Sequence, residues 1–141
     1  MTVNQILSNK GKEVFSILST NTVYEALTVM SEKNIGAILI IEDSILKGVL
    51  SERDYARKIV LKAKSSKKTF VHEIMETDVV TVSPSDNLEY CLELMNKNRV
   101  RHLPVIENDI VTGVVSIGDL VKAIIETQKD TIQHLNSYIT Q

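Results

Sequence analysis

Apolar positions along this chain alternate between the two-residue period of a strand and the three-to-four-residue period of a helix. Val14–Ile17 is a short β-rich run. Val23, Ala26, Leu27 and Met30 then recur at helical spacing, preceded by Asn21 and Thr22, which carry N-cap chemistry. Two strand-like runs follow, Ala37–Ile41 and Leu46–Leu50, with Glu42–Ser44 as the turn between them. A helix from about Glu52 to Ala63 closes the series.

The second half of the chain repeats the first. Sliding the sequence by 65 positions sets Val14 on Val79, Leu27 on Leu92, Met30 on Met95, Gly48 on Gly113, Ser51 on Ser116 and Asp54 on Asp119. Val79–Val82 is the second β-rich run, Ser85 and Asp86 are the helix-capping pair, and Leu88, Cys91, Leu92 and Met95 form the apolar stripe. Leu103–Ile106 and Val111–Val115 are the paired strands around Glu107–Asp109, and a helix runs from Ile117 to Thr127 or beyond. Upstream, Val3–Leu7 resembles Val71–Met75 at an offset of 68, so each copy opens on a short apolar turn. Two copies at so long a period indicate a duplicated unit, since a solenoid usually needs three or more. The expected organisation is a single module over 1–141, with repeat 1 at 3–63, a linker at 64–69, repeat 2 at 70–127 and a helical tail at 128–141. The fold class is α/β (α+β), with the order β-α-β-β-α in each repeat.

Composition narrows the function. With 43% apolar and 24% charged residues, the 141-residue chain has enough apolar surface for a core. A net charge of −2 removes the electrostatic case for nucleic acid. No stretch approaches the roughly 18 apolar residues of a membrane span, and the opening residues lack the apolar core of a signal peptide. A soluble, cytoplasmic protein without membrane contact is expected. Cys91, the single cysteine, has no internal disulfide partner, and its place on a helix stripe marks it as a core thiol. His72, His102 and His134 lack metal-ligand spacing, and neither a nucleophile elbow nor a Walker-type loop is present. The expectation is therefore a non-enzyme with no catalytic residue, no metal and no required cofactor.

The chemically informative pattern is Gly-x-x-Ser-x-x-Asp, present as Gly48–Asp54 and again as Gly113–Asp119, where a strand passes into a helix. A helix start offers unpaired N–H groups and favours negative charge, so phosphate is welcome there. An Asp carboxylate accepts hydrogen bonds only, which suits the paired hydroxyls of a ribose. The same spacing is also nearly a capping box, although Asp is one methylene shorter than the preferred Glu or Gln. Both readings stand at this point.

Arg99, Arg101 and His102 precede the strand Leu103–Ile106, where copy one has the small neutral stretch Asn34–Ala37. A bound phosphate would pair such cations, and solvent would serve equally for exposed ones. Arg53, Arg57 and Lys58 flank the matching helix start of copy one, with Lys58 read as part of a solvated face. The basic connector Lys62–Lys68 reads as a solvated linker, or as a segment whose Ser65, Ser66 or Lys67 touches an anionic ligand. Past Thr127, the spacing of Gln128, Ile132, Leu135 and Ile139 describes an amphipathic helix, packed on its own domain or against another copy.

Taken together, the repeat, the two junctions and the stretch Arg101–Val105 resemble a tandem pair of CBS domains, the Bateman module, over about Val3 to Ile125. The resemblance implies two pseudo-two-fold repeats packed through their sheets, forming a regulatory module that binds an adenosine nucleotide in clefts between them. It implies that Asp119, Ser116 and Gly118 hold one ribose, with Arg101 and His102 toward the phosphates, and with Phe15, Ile17, Ile35, Gly36 and Ala37 as walls. It implies a second site of Asp54, Ser51, Arg53 and Arg57, with Val80 and Val100 as walls. AMP, ADP, ATP and NAD-like molecules are the ligand class implied, and a homodimer the assembly. An alternative is a structural dimerisation module with empty clefts.

Overall fold

The computed structural model describes residues 1–139; Thr140 and Gln141, the end of the expected tail, lie outside the described residues. The elements are α1 (Val3–Lys10), β1 (Ser16–Ile17), α2 (Val23–Lys33), β2 (Ala37–Glu42), β3 (Ile45–Ser51), α3 (Glu52–Tyr55), α4 (Val71–Ile74), α5 (Leu88–Asn98), β4 (His102–Glu107), β5 (Ile110–Ser116) and α6 (Ile117–Ile139). A π-helical segment, Ala56–Val60, continues α3. The class is mixed α/β, as expected, and both opening "turns" are helices.

Two compact units result: Met1–Lys12 with Val80–Ile106 and the chain from Thr112 onward (unit 1), and Glu13–Val79 with Glu107–Val111 (unit 2). The units do not follow the sequence repeats. The opening helix of repeat 1 belongs to the core of unit 1, where Val3, Ile6 and Leu7 join Leu88, Cys91, Met95, Leu103, Val105, Val115 and Leu120. The opening helix of repeat 2 gives Val71 and Ile74 to the core of unit 2, beside Val23, Ala26, Met30, Ile38, Ile40, Leu50 and Ile59. Backbone bonds tie each opening helix to its neighbour's start: Val3 N to Asp86 O and Leu88 N to Met1 O in unit 1, Val71 N to Asn21 O and Val23 N to Thr69 O in unit 2. Apolar burial at about 25 cal/mol per Å² drives both cores, and the helix N-termini gain partners in the process.

In unit 2 the sheet order is β1-β2-β3, with β1 parallel and β3 antiparallel to β2 and a register shift at Ile40/Ile41. β4 and β5 form a two-stranded sheet. Both hairpins turn through two residues of positive φ, Asp43–Ser44 and Asn108–Asp109, a conformation that matches strand twist. The expected strand Val79–Val82 reduces to one parallel bridge, Val82 to Val105. Pro104 stands where β2 has Leu39, and a residue with no N–H cannot complete the second bridge that Ser16 makes to Leu39.

Thr22 caps α2 as expected, in a capping box with Glu25. For α5 the expected cap at Ser85–Asp86 is wrong: Asn87 is the cap and accepts from Tyr90 N. Asp86 instead accepts from Ser83 N at 2.8 Å, in the preceding turn. The helix expected over Glu52–Ala63 is split, α-helical to Tyr55 and π-helical to Val60, with Leu61 N bonding to Ala56 O. The connector is more than a solvated linker. Ser66 O accepts from Tyr24 N, Thr69 Oγ1 donates to Ser65 O, and the Lys67 ammonium lies 4.8 Å from the Tyr24 ring.

The glycine of each junction motif has a packing reason. A Cβ on Gly48 would lie 2.9 Å from both Glu76 O and Met75 Sδ, and one on Gly113 would lie 2.8 Å from Leu7 Cδ1. The obstacle at Gly48 includes backbone, whereas at Gly113 it is the end of a side chain. Gly48→Ala should therefore lower stability by about 1–3 kcal/mol, the usual cost of overpacking, and Gly113→Ala by less. Urea midpoints of the two variants test this, and a larger loss for Gly113→Ala would contradict it.

Candidate functional site

The two strand-to-helix junctions concentrate the polar chemistry. Each begins with a serine at the end of a strand and an aspartate three residues on. In unit 1, Ser116 N donates to Asp119 Oδ2 at 2.8 Å and Asp119 N donates to Ser116 Oγ at 3.1 Å. In unit 2, Ser51 N and Ser51 Oγ each donate to Asp54 Oδ2 at 3.0 Å, and Asp54 N donates to Ser51 Oγ at 3.1 Å. Asp is thus long enough to close the box, contrary to the expectation drawn from its length. Capping and ligand binding are compatible, because an ionised carboxylate has about four lone-pair sites.

A lysine engages each aspartate. Lys10, in the last turn of α1, lies 2.6 Å from Asp119 Oδ2 and donates to Val114 O at 2.6 Å. Lys58 lies 3.2 Å from Asp54 Oδ1 and donates to Ile74 O at 2.9 Å, so its expected place on a solvated face is also corrected. Burial pushes the Asp119 carboxyl up, but hydrogen bonds from Lys10 and Ser116 outweigh it and hold the pKa below the ordinary value. Asp119 is a fixed anion at neutral pH.

Arg101 and His102 join this junction through the backbone, since Ile117 N donates to Arg101 O at 2.9 Å. The Arg101 side chain is exposed and His102 is half-buried as the first residue of β4. Burial lowers the His102 pKa; the positive charges of Lys10 and Arg101 add to this and Asp119 opposes it. The imidazole is therefore neutral at pH 7, with one nitrogen a donor and the other an acceptor. The matching bond in unit 2 runs from Glu52 N to Gly36 O at 3.1 Å, so Gly36 and Ala37 occupy the places of Arg101 and His102. One junction is cationic at its strand entry and the other is bare backbone.

The remaining expected residues are distributed as follows. Gly118 lies in the first turn of α6, with open space beyond Ser116 Oγ. Arg53 and Arg57 are exposed on α3 and the π-helical segment. Val80 and Val100 are half-buried against the core of unit 1, and Ile17 and Ile35 against that of unit 2. Phe15, also in unit 2, carries the Lys33 ammonium 5.1 Å from its ring. Unit 2 also has an open groove of about 690 Å³ lined by Leu27, Met30, Ser31, Asn34, Ile35, Gly36, Glu52 and Tyr55. Its lining includes Ile35 and Gly36, expected as walls of the Asp119 site, and none of the residues expected at the Asp54 site.

Lys10 is the junction residue that sequence reading missed: the opening segment read as a short apolar turn, and the lysine's partner lies 109 residues away. Among the described residues no cluster of three or more His, Cys, Asp or Glu could hold a metal, and no helix is long and apolar enough to cross a membrane. Cys91 is fully buried, and burial followed by the nearby Asp86 charge raises its thiol pKa to about 11, as befits an inert core thiol.

Comparison with known proteins adds the following. The CBS domain model matches twice, at residues 5–61 and 71–126. The CBS domain-containing protein CBSX3, mitochondrial, of Arabidopsis thaliana is 37% identical over 147 aligned residues, spanning 98% of this chain and 71% of that protein. A solved CBS-domain structure from Burkholderia ambifaria is 44% identical with a TM-score of 0.86, covering 91% of this chain and 96% of that one. A CBS domain pair solved in complex with 5′-methylthioadenosine and S-adenosyl-L-methionine is similar in fold, with a TM-score of 0.78 at 22% identity, covering 90% of this chain and 98% of that one.

The His102 environment carries a pH dependence. Its pKa is lower in the folded chain than in the unfolded one, so the unfolded state binds the proton first. Stability from this group is complete above the unfolded value near 6.5 and falls as pH drops from there toward the lower folded value. Asp119, also depressed, adds a second loss as pH falls below about 3.8. His102→Gln should flatten the decline in Tm between pH 7.5 and pH 5 while leaving the acid limb in place. Parallel Tm-versus-pH curves for wild type and variant would contradict the assignment.

Proposed function

The chain belongs to the CBS-domain family, and from that premise we propose that it is a regulatory module sensing an adenosine nucleotide, with AMP, ADP, ATP and NAD-like molecules as the ligand class. The observation that carries this reading is the unit 1 junction. A fixed carboxylate paired with the Lys10 ammonium, a neutral imidazole and a helix start meet around Ser116 and Asp119, with the exposed Arg101 at the adjoining strand entry. Asp119 is suited to accept from a ribose diol, and Arg101 to grip phosphate through charge-assisted bonds. A fold-level relative solved with two adenosine compounds supports the ligand class. The module acts by binding rather than catalysis.

The capping boxes favour a second reading, a structural module in which Ser and Asp serve only the helix start. Ligand binding separates the two. A ligand at about one hundred times its Kd adds about 2.7 kcal/mol to stability, which raises Tm by several degrees. Millimolar AMP, ADP, ATP, NAD and S-adenosylmethionine should include at least one that does so. No shift with any of them leaves only the structural reading.

The two junctions should bind unequally. Arg101 and His102 stand where unit 2 has Gly36 and Ala37, and a charge-assisted bond is worth about 1.5–3 kcal/mol, roughly ten- to hundredfold in affinity. Arg53 offsets part of that advantage. Titration calorimetry with AMP should show Asp119→Ala losing the tight event and Asp54→Ala retaining it. Each variant deletes the same cap, so loss of a cap alone predicts equal effects. The inverse pattern would assign the tight site to Asp54.

A further inference from the structure

Lys10 reaches the unit 1 junction from a helix that the junction's own sequence does not specify. Its Nζ lies 2.6 Å from Asp119 Oδ2 and donates to Val114 O at 2.6 Å, so two of its three N–H groups are engaged. The third meets no acceptor among the described residues, and the side chain keeps 33% of its surface exposed. An ammonium held from two sides with a donor to spare is a preorganised contact for an anion.

The distribution of donors over the carboxylate matters as much. Ser116 N and Lys10 share Asp119 Oδ2, and Oδ1 receives no donor among the described residues. In unit 2 the lysine takes the other oxygen: Ser51 N and Oγ occupy Asp54 Oδ2, while Lys58 lies against Oδ1. Asp119 therefore keeps an acceptor that Asp54 gives to its lysine, and keeps it with the charge already balanced.

Charge balance decides which ligand that acceptor suits. In a 5′-nucleotide the diol and the phosphate sit on one ribose. A diol bonded to Asp119 thus brings the phosphate within roughly 8 Å, the Debye length at physiological salt. A bare carboxylate would repel it. Paired with Lys10 the carboxylate does not, and the spare N–H can give the phosphate a charge-assisted bond. Lys10 also outweighs Arg101 in lowering the His102 pKa, so the ammonium, more than the exposed guanidinium, sets the field at this strand entry. We propose that Lys10 makes the Asp119 junction select 5′-phosphorylated adenosine ligands over phosphate-free ones. This rests on the nucleotide-sensing reading above and deepens it, because a diol contact alone accepts both classes.

AMP, ADP and ATP share base and diol with 5′-methylthioadenosine and differ in the 5′ group, so titration calorimetry of the full chain with these four isolates the phosphate. Wild type should bind the tightest nucleotide at least about tenfold better than methylthioadenosine, the lower end for one charge-assisted bond. Lys10→Met, and Lys10→Gln as a second neutral variant, should lose most of that preference through weaker nucleotide binding, with methylthioadenosine bound as tightly as before or more so. Lys10→Arg should keep the preference. Lys12→Met, which removes the same charge from an exposed position two residues on, should keep it as well. Three results overturn the proposal and leave the nucleotide-sensing reading in place: a wild type without the preference, neutral variants that retain it or lose both ligand classes alike, and a Lys12→Met variant that narrows it as far. A wild type that binds none of the three nucleotides overturns that reading and the proposal with it.

Discussion

A Cβ at Gly113 would stand 2.8 Å from Leu7, and one at Gly48 would stand 2.9 Å from Met75 and the Glu76 carbonyl. This close approach of an opening helix to the middle of a strand is the constraint on which the rest depends. It closes each core, because Val3, Ile6 and Leu7 are buried only in the company of the β4–β5 hairpin, α5 and α6. It also sets the junction chemistry. With Leu7 pressed onto Gly113, the next turn of α1 brings Lys10 to Asp119 and to Val114 O. In unit 2 the carbonyl of Ile74, at the end of α4, receives Lys58, which then reaches Asp54. The glycine of each Gly-x-x-Ser-x-x-Asp pattern is thus a packing residue, and it shapes the junction through the helix it admits.

The Ser–Asp pair shows how one local device can serve two ends. The capping box satisfies a helix-start N–H and a strand-end N–H together, and it fixes the carboxylate in direction as well as in charge. A fixed acceptor loses little freedom on meeting a ligand, so less of its interaction energy goes into ordering it. Lys10 pairs with the Asp119 carboxylate at 2.6 Å, so its charge is balanced within unit 1.

The elements and most of the core were legible because duplication prints them twice. Val23, Ala26, Met30, Ile38, Ile40 and Leu50 are buried in one unit, and their partners at an offset of 65, Leu88, Cys91, Met95, Leu103, Val105 and Val115, are buried in the other. The same offset carries the cap Thr22 onto Asn87, so the misplaced α5 cap was correctable from the repeat itself; Ser85 and Asp86 misled because their side chains suit caps and turns alike. Long-range pairing was not legible. The exchange of α1 and α4 depends on which apolar helix reaches which strand, and nothing in a local pattern records that. Lys10 was illegible for the same reason, since its carboxylate lies 109 residues away; Lys58 and Asp54 are an i,i+4 pair whose spacing was readable.

What duplication leaves unequal is as informative as what it preserves. The caps, hairpin turns and core layers survive in both copies, since each repairs a local cost of folding that recurs with the fold. The differences gather at the strand entries. Pro104 replaces Leu39 and shortens the parallel pairing to one bridge, while Arg101 and His102 replace Gly36 and Ala37. Charge at a strand entry does nothing for the core and costs solvation as it is buried, which is why His102 is held neutral. Arg101 avoids that cost by staying exposed, one residue ahead of His102. Positive charge at this strand entry, absent from that of the other copy, is the difference that the shared packing and capping do not account for.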